Sequence, residues 1–496
     1  MRKFDQLAER MKKIADVNYA SALLSWDQET YMPLKGGSTR SRQLSTLSGI
    51  AHELFTQRDT ELLLNQALEE NGLTDKEVRN LKLIVEELER QKKYPTSFVE
   101  DMSKSISVCF QAWNDARLKN DFSLFVSPLE KLIDFKLQET ELLGYENHPY
   151  NALLDQYERK LTVADLDELF SGIKQRLTPL LNRIFSAIQV DDEFFFQHFD
   201  KNKQWDLGID LLKQMGYDFE CGRQDISAHP FTINFSSRDV RVTTRIDENN
   251  LSEMIWSCIH EGGHALYEQG LPEAEYGLPL SEAVSLGIHE SQSRLWENNV
   301  GRSHQYWKNN FKKVQALFPE QLDKITSDQF YKACNKVERS FIRTNADELT
   351  YHFHIMIRYE IEKNLISGNI RVKDLPDVWN ELYKKYLDLE VKDDKHGVLQ
   401  DVHWSHGSFG YFPTYSIGSF YAAQFFYAAN KAIPDLNENI ENGNFNLLLN
   451  WLRHSIHQHG KFYSAHDLCK KITGEQLNVS YFMNYVTDKY EKIYNL

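Results

Sequence analysis

The spacing of apolar residues along the chain predicts a mostly helical protein. Residues 1 to about 140 form amphipathic segments separated by short turns, and apolar residues three and four positions apart are typical of α-helices. One helix is expected over residues 78–91, because Thr74 and Glu77 form a capping box directly before it. Residues 1–215 carry no chemical motif, so we predict that they form a helical scaffold or lid.

Alternating residues predict a single β-hairpin over residues 231–246. After the turn residues Ser236 and Ser237, apolar or β-branched residues alternate with polar ones. The first set is Val240, Val242, Thr244 and Ile246, and the second is Arg241, Thr243 and Arg245. The chain has only 23 Gly and 12 Pro, too few for a β protein that turns every 8–12 residues or so. A mostly α fold with a small β-sheet follows.

Residues 397–418 interrupt the helical pattern in the second half of the chain. They contain four glycines, show no helical period and are rich in aromatic residues. A loop of more than about 15 residues is usually functional or disordered, and the aromatic residues argue against disorder. We therefore predict a functional loop over this segment.

Composition narrows the class of partner and compartment. The chain has 57 Lys and Arg against 72 Asp and Glu, a net charge of −15, which disfavours binding to nucleic acid. We find no signal peptide and no stretch of about 18 apolar residues, so no membrane span is expected. The five cysteines are far apart and form no CxxC pair, which favours a reducing compartment. We expect a cytoplasmic protein.

The helix predicted over residues 250–269 carries a metal-binding pattern. It begins with Asn250 as a cap, and His260 and His264 are four residues apart, on one face. Two histidines with this spacing can share a metal ion, with Glu261 beside them as a general base for water. The string is His-Glu-x-x-His, which is suggestive but not decisive by itself.

Two glycines follow the general base inside the same predicted helix. Gly262 and Gly263 together cost about 2 kcal/mol relative to alanines in a helix interior. We expect that a substrate or a neighbouring backbone approaches the helix closely at these positions.

A catalytic zinc site needs a third protein ligand and one open position. A second helix, predicted over residues 281–300, places Glu290 on a face with small neighbours, where a buried carboxylate would need a cation. Glu282 and Glu297 are competing candidates for the same role. The helical spacing alone leaves this choice open.

Six short motifs, spread in order over the second half of the chain, carry a resemblance to a known family. They are His229-Pro230-Phe231, Asp239-x-Arg241-x-Thr243, His260-Glu261-x-x-His264, His289-Glu290-Ser291-Gln292, Ile342-Arg343-x-x-Ala346-Asp347 and Gly397-x-x-Gln400-Asp401-x-His403-Trp404. With these motifs the chain resembles the carboxypeptidase Taq family of metallocarboxypeptidases, the M32 peptidases. Residues 216–496 are accordingly predicted to be the catalytic part of a single peptidase unit.

The resemblance implies a specific site. Its metal ligands would be His260, His264 and Glu290, and its general base Glu261. The fold would be a large helical metallopeptidase with a deep cleft and a small sheet beside the zinc helix. One Zn²⁺ per chain, or Co²⁺ instead, peptide substrates with a free C-terminus and a homodimer are also implied.

Removal of a C-terminal residue requires a fixed cation for the free carboxylate, and a guanidinium binds it bidentately. Arg343, which we place in a helical stretch, matches the arginine of the fifth motif, and Arg238, Arg241 and Arg245 are alternatives. His229 and Asp239 are further expected substrate-binding residues. His403, Tyr411 and Tyr415 of the predicted loop are candidates to stabilise the oxyanion. The strand over residues 240–246 is expected to offer its edge to the peptide.

Three functions compete on this basis. The leading one is a zinc carboxypeptidase that releases single C-terminal residues with broad specificity. A helical zinc endo-oligopeptidase or dipeptidyl carboxypeptidase would use the same chemistry. A helical interaction scaffold without enzymatic activity is the alternative from another class.

Overall fold

The computed structural model describes residues 1–496, apart from the side chains of Leu34 and Thr96. The expectation of a mostly helical chain is confirmed, and the described residues form twenty-one α-helices. They are α1 Lys3–Thr30, α2 Gly37–Thr56, α3 Arg58–Leu68, α4 Asp75–Gln91, α5 Thr96–Lys119, α6 Ser123–Leu143, α7 Tyr150–Leu154, α8 Val163–Ser186, α9 Lys201–Met215, α10 Leu251–Glu268, α11 Leu286–Arg294, α12 His304–Leu317, α13 Pro319–Leu322, α14 Ser327–Cys334, α15 Tyr351–Ile366, α16 Leu375–Leu387, α17 Pro413–Ala432, α18 Leu436–Glu441, α19 Asn446–Ser455, α20 Ala465–Thr473 and α21 Ser480–Tyr494.

The small sheet has three strands, β1 Gln224–Ile226, β2 Thr232–Ser236 and β3 Asp239–Thr244. Their order is β1-β3-β2, with β3 parallel to β1 and antiparallel to β2. The predicted hairpin is confirmed as β2 and β3. The expectation that residues 240–246 offer a free edge is wrong, because β3 is the central strand and is paired on both sides. Strand β2 is an edge strand instead.

The chain folds into two compact units, each assembled from three segments. The first contains residues 1–91, 190–336 and 418–481, and the second contains residues 92–189, 337–417 and 482–496. The sheet and helices α10 and α11 belong to the first unit. The division into 1–215 and 216–496 rests on where the chemical motifs lie and stays a functional prediction.

In the first unit, the amphipathic pattern of the N-terminal helices produces a core of its own. Apolar side chains of α1 to α4, such as Leu7, Leu64 and Leu81, are buried against one another. The predicted capping box before α4 is present, because Thr74 N donates to Glu77 Oε2 (2.8 Å) and Glu77 N donates to Thr74 Oγ1 (3.3 Å). Among the described residues, no helix combines the length and apolarity that crossing a membrane requires.

Helix α11, which carries Glu290, begins later than predicted. Residues Pro279–Ser281 form a short 3₁₀-helix, and α11 starts only after Ser285, whose hydroxyl accepts a hydrogen bond from Ile288 N (3.2 Å). The same helix continues beyond Arg294 as a π-helix over Leu295–Gly301. The predicted boundaries of 281–300 are therefore wrong at the start, because Ser285 rather than Ser281 caps the helix.

Two other segments of the second half also differ from prediction. Arg343 lies in a 3₁₀ turn, Arg343–Asn345, and the helix that follows it, α15, begins only at Tyr351. The predicted loop over residues 397–418 contains a 3₁₀-helix at His403–His406, and α17 begins inside it at Pro413. Tyr415 is therefore a helical residue.

Candidate metal centre

Two helices of the first unit bring the three expected metal ligands together. His260 and His264 lie one turn apart on α10, and Glu290 comes from α11. Glu290 Oε2 is 3.4 Å from His264 Nε2 and 3.9 Å from His260 Nε2. One ligand atom from each residue lies within 4.8 Å of the other two. The three side chains thus face a common point.

Glu297, one of the competing candidates, contacts the other side of the first histidine. Its Oε2 is 2.9 Å from His260 Nδ1, whereas Glu290 faces Nε2 of the same ring. A carboxylate on Nδ1 fixes the tautomer and the orientation of a metal-ligating imidazole. Glu297 is therefore placed to orient His260 rather than to replace Glu290. Glu282, the third candidate, is 55% exposed and pairs with Lys461.

The two carboxylates share a cation. Arg294 Nε donates to Glu290 Oε1 (2.7 Å), and Arg294 Nη1 donates to Glu297 Oε2 (3.1 Å). Arg302 Nη2 donates to Glu297 Oε1 (3.0 Å) from beyond the π-helix. These contacts hold both buried carboxylates in defined positions, as a metal site requires.

Close packing explains the glycines of the metal helix. A Cβ atom on Gly263 would lie 2.6 Å from Ser293 Cα and 2.8 Å from Gln292 O, so the backbone of α11 passes directly over α10. A Cβ on Gly262 would lie 2.8 Å from Leu212 Cδ2. The expected close approach is confirmed, and its source is a neighbouring backbone at Gly263 and a packed side chain at Gly262.

A third glycine, Gly418, lies against the side chain of Glu290, the expected ligand from α11. A Cβ on Gly418 of α17 would lie 2.5 Å from both Cβ and Cγ of Glu290. Any larger residue at this position would displace the side chain of the expected third ligand.

The charges of the site favour metal-binding protonation states of Glu290 and His264. Burial opposes ionisation of Glu290, but Arg294 and the two histidines outweigh it and lower its pKa to about 2. Burial lowers the pKa of His264 to about 3. For His260, burial is outweighed by Glu290 and Glu297, which raise its pKa. An ionised carboxylate and a neutral His264 are forms that ligate metals.

The expected general base lies next to the ligands and is held by the sheet. Glu261 is buried, and its Oε2 accepts a hydrogen bond from Thr232 Oγ1 of β2 (2.7 Å). Burial raises the pKa of Glu261 above its ordinary value, which brings a carboxylate closer to the range useful for proton transfer at neutral pH. Two imidazole nitrogens and one carboxylate are the ligand set of catalytic zinc sites that keep one position open, and Glu261 lies beside this set without belonging to it.

Four of the expected substrate-binding residues cluster in the second unit. His403 Nε2 is 2.9 Å from Tyr415 Oη, and the ring of Tyr411 is 5.4 Å from that of His403. The guanidinium of Arg343 is 4.9 Å from the centre of the Tyr415 ring. Arg343 is only 6% exposed, and its Nε donates to Asp401 Oδ1 (2.9 Å). The structure therefore brings together Arg343, His403, Tyr411 and Tyr415.

The other expected substrate-binding residues lie at the sheet of the first unit. Arg241 forms a two-point ion pair with Asp239, with both N–O distances 2.9 Å, and lies between the rings of Trp26 and Phe235. His229 is exposed, and its carbonyl oxygen accepts a hydrogen bond from Ser227 Oγ (2.6 Å). The alternative arginines are engaged elsewhere, Arg238 with Glu273 and Arg245 with Glu253.

The likeness to known proteins extends over the whole chain. A sequence profile described as carboxypeptidase Taq (M32) metallopeptidase matches residues 6–490. The chain belongs to the M32 family. Carboxypeptidase 1 of Bacillus subtilis is 40% identical over 488 residues, which are 98% of this chain and 97% of that protein. Thermostable carboxypeptidase 1 of Pyrococcus furiosus is 36% identical over 494 residues, 98% of each chain. The solved M32 carboxypeptidase of Deinococcus radiodurans R1 is 36% identical, with all of both chains covered and a TM-score of 0.96.

Membership of the M32 family makes the chain a metallocarboxypeptidase, a hydrolase that acts on peptides.

Some of the contacts around the expected functional residues were not anticipated from the sequence. The hydrogen bond from Thr232 to the general base depends on how strand β2 packs against α10, which local sequence patterns do not give. In the second unit, Arg358 pairs with Asp401 (2.7 Å), a residue of the sixth motif quoted from the sequence. The motif was the available signal for Asp401, but it did not indicate its partners.

Proposed function

We propose that this M32 enzyme is a zinc carboxypeptidase that releases single C-terminal residues from peptides. The observation that carries the proposal is the convergence of His260, His264 and Glu290 beside Glu261. A divalent metal held by these three residues supplies Lewis acidity, which activates water and polarises the scissile carbonyl. Zinc fits two imidazoles and one carboxylate, and cobalt is the alternative.

Glu261 is the general base of the proposed reaction. Its carboxylate accepts a proton from the attacking water and later delivers a proton to the leaving amine, as positioned carboxylates do in hydrolysis. The raised pKa of Glu261, which burial causes, supports the first step, because it makes the carboxylate a stronger base.

Arg343 is the proposed binding residue for the terminal carboxylate, and the charge of its surroundings supports this role. Asp401 is bound by both Arg343 and Arg358, which leaves one positive charge without an acidic partner in this group of three. His403 does not add a second positive charge, because burial and the charge of Arg343 lower its pKa to about 3. A buried cation is unfavourable unless it is paired, and the substrate carboxylate would pair it.

The peptide is proposed to lie along strand β2. Residues Thr232–Ser236 form an edge of the sheet, and a peptide can add to an edge strand through main-chain hydrogen bonds. Because such bonds do not depend on side chains, broad specificity follows. His403, Tyr411 and Tyr415 remain the proposed oxyanion donors, and His229, Asp239 and Arg241 remain proposed substrate-binding residues.

Timed mass spectrometry of one peptide tests the proposal. A peptide with a free C-terminus should lose one residue at a time, its amidated form should react far more slowly, and a chelator should stop both reactions. Restoration by one equivalent of Zn²⁺ per chain supports zinc, and restoration by Co²⁺ alone supports cobalt. Internal cleavage of the amidated peptide would indicate an endo-oligopeptidase, and release of residues in pairs a dipeptidyl carboxypeptidase.

The assembly and location of the enzyme stay predictions. The homodimer implied by the resemblance is checked by light scattering of the purified chain at several concentrations. The cytoplasmic location is checked by fractionation of the cells that produce it.

A further inference from the structure

Side chains on one face of strand β2 contact the metal helix at two positions. Thr232 Oγ1 is 2.7 Å from Glu261 Oε2 and 2.9 Å from the carbonyl oxygen of Glu261. Two residues along the strand, Asn234 Nδ2 donates to Glu268 Oε2 (2.6 Å). Alternate residues of a strand point to the same side, so Thr232 and Asn234 both face α10.

The contact between Asn234 and Glu268 connects β2 to the expected metal ligand His264 through His289. Glu268 Oε1 is 2.8 Å from His289 Nε2, and the ring of His289 stacks on that of His264 at 4.4 Å. Helix α10 is therefore held against β2 by Asn234 as well as by Thr232. The Thr232 hydroxyl is not needed for that packing alone, and it also contacts the Glu261 side chain.

The Thr232 hydroxyl can fix the conformation of the Glu261 side chain. A threonine hydroxyl has one proton to donate, and both acceptors within reach of Thr232 belong to Glu261. A glutamate side chain loses up to about 2 kcal/mol of rotamer freedom when it is fixed, so a buried general base needs a partner that selects one rotamer.

We propose that Thr232 is a positioning residue for the general base. Its hydroxyl donates a hydrogen bond to Glu261 Oε2, which leaves Oε1 free to accept the proton of the attacking water. Because Thr232 belongs to the edge strand proposed to receive the peptide, the base is held in register with the substrate backbone. This inference rests on the proposed role of Glu261.

Three variants separate this role from a contribution to folding. Thr232→Val removes the hydroxyl and keeps the β-branched shape, and Thr232→Ser keeps the hydroxyl. The matched control is Thr244→Val, since Thr244 of β3 is 2.7 Å from Ser257 Oγ and so also joins the sheet to α10 through a hydroxyl. Thr244 contacts neither Glu261 nor the metal ligands in any described hydrogen bond.

We expect Thr232→Val to lower kcat about 10- to 100-fold, the range for loss of one hydrogen bond to a charged group, with KM changed less than about threefold. Metal affinity, measured by chelator competition, should stay within about threefold of wild type. Thr232→Ser should recover most of kcat, and Thr244→Val should keep it. A crystal structure of Thr232→Val should show the Glu261 side chain rotated while the three ligands stay in place.

A double-mutant cycle with Glu261→Gln provides the decisive comparison. Thr232→Val should change turnover less than about twofold in the Glu261→Gln background, because residues that act as a unit are not additive. An equal loss in both backgrounds, or a loss equal to that of Thr244→Val, would overturn the proposal. Should Thr232→Val not fold, Thr232→Ala takes its place in the same cycle.

Failure of the proposed function gives a different result. If Glu261→Gln by itself kept more than about a tenth of wild-type turnover, Glu261 would not be the base. Loss of function in Thr232→Val would then have to come from the fold.

Discussion

Replacement of Glu297 and Glu290 by glutamine, one at a time, tests which of the two carboxylates ligates the metal. Both substitutions keep the size of the side chain and remove one negative charge. Glu290 faces His260 Nε2 and His264 Nε2, whereas Glu297 contacts His260 Nδ1 at 2.9 Å. We expect both variants to bind metal more weakly, but to very different extents.

The expected magnitudes follow from these contacts. In Glu297→Gln, a charge-assisted hydrogen bond to His260 becomes a neutral one of about half its strength, a loss of about 1 kcal/mol or somewhat more. Metal affinity should fall about 10-fold, within the 10- to 100-fold range of such supporting residues. Glu290→Gln weakens a ligand itself. If a tightly bound zinc is worth about 10–16 kcal/mol over four ligands, one ligand is worth about 3 kcal/mol, or more than about 100-fold.

The assay is competition for Zn²⁺ against a chelator of known affinity, at one pH and one ionic strength, with unfolding curves of each metal-free variant. Glu282→Gln is the matched control, because Glu282 is exposed and pairs only with Lys461 among the described ion pairs. Its metal affinity should equal that of wild type. Weaker binding in Glu297→Gln than in Glu290→Gln would exchange the roles of the two carboxylates. Full occupancy in Glu290→Ala would remove Glu290 from the site.

Four further predictions follow from the same geometry. Glu261→Gln should keep its metal and lose about 10²- to 10⁴-fold in turnover, measured with the metal content of the same sample. Arg343→Ala should lower kcat/KM about 30-fold to several thousand-fold for a free peptide, while the rate for the amidated peptide changes little; an unchanged preference for the free C-terminus would make Arg343 structural. Gly418→Ala should weaken metal binding in the chelator assay, because its Cβ would lie 2.5 Å from the Glu290 side chain; wild-type affinity would contradict the packing argument. Burial raises the pKa of Glu362 to about 7 from 4.5, so the native state holds a proton that the unfolded state releases. The contribution of this group to the free energy of unfolding should therefore fall by about 3 kcal/mol as the pH rises from about 4.5 to about 7. Urea unfolding at several pH values checks this, because the unfolding free energy of Glu362→Gln should depend less steeply on pH than that of wild type.

The elements that carry the chemistry could be predicted from sequence where their signals are local. The cap at Asn250 and the four-residue spacing of His260 and His264 lie within one helix, and the structure places that helix at Leu251–Glu268. Glycines inside a helix indicated a close approach, and Gly263 has one. Alternation over β2 and β3 was also sufficient to locate the hairpin.

The strand order could not be predicted in the same way. Strand β1 has only three residues, Gln224–Ile226, and is held by parallel pairing with β3. Three residues give too short a pattern to separate a strand from a loop. Because β1 was missed, the central strand was taken for an edge.

The choice between Glu290 and Glu297 was open for a different physical reason. The two residues are seven positions apart, which is nearly two turns of an α-helix, so helical periodicity places them on the same face. The structure inserts a π-helix at Leu295–Gly301, and π-helical turns change the direction of the residues beyond them and are frequent at functional sites. Glu297 thereby reaches His260 Nδ1 instead of the common point of the ligands.

The ligands of the candidate metal centre are positioned mainly by the main chains that surround them. Gly263 lets the backbone of α11 pass over α10, and Gly418 lets α17 pass over the side chain of Glu290. The hydrogen bond that Arg294 donates to Glu290, and the one that Glu297 accepts from His260, then set the rotation of side chains whose places are already fixed. Loss of one such bond leaves the ligands near their positions, whereas a Cβ added at either glycine moves a helix or a ligand as a whole. For metal affinity, enlarging a glycine should therefore be at least as harmful as removing a supporting charge, even though no ligand atom is changed.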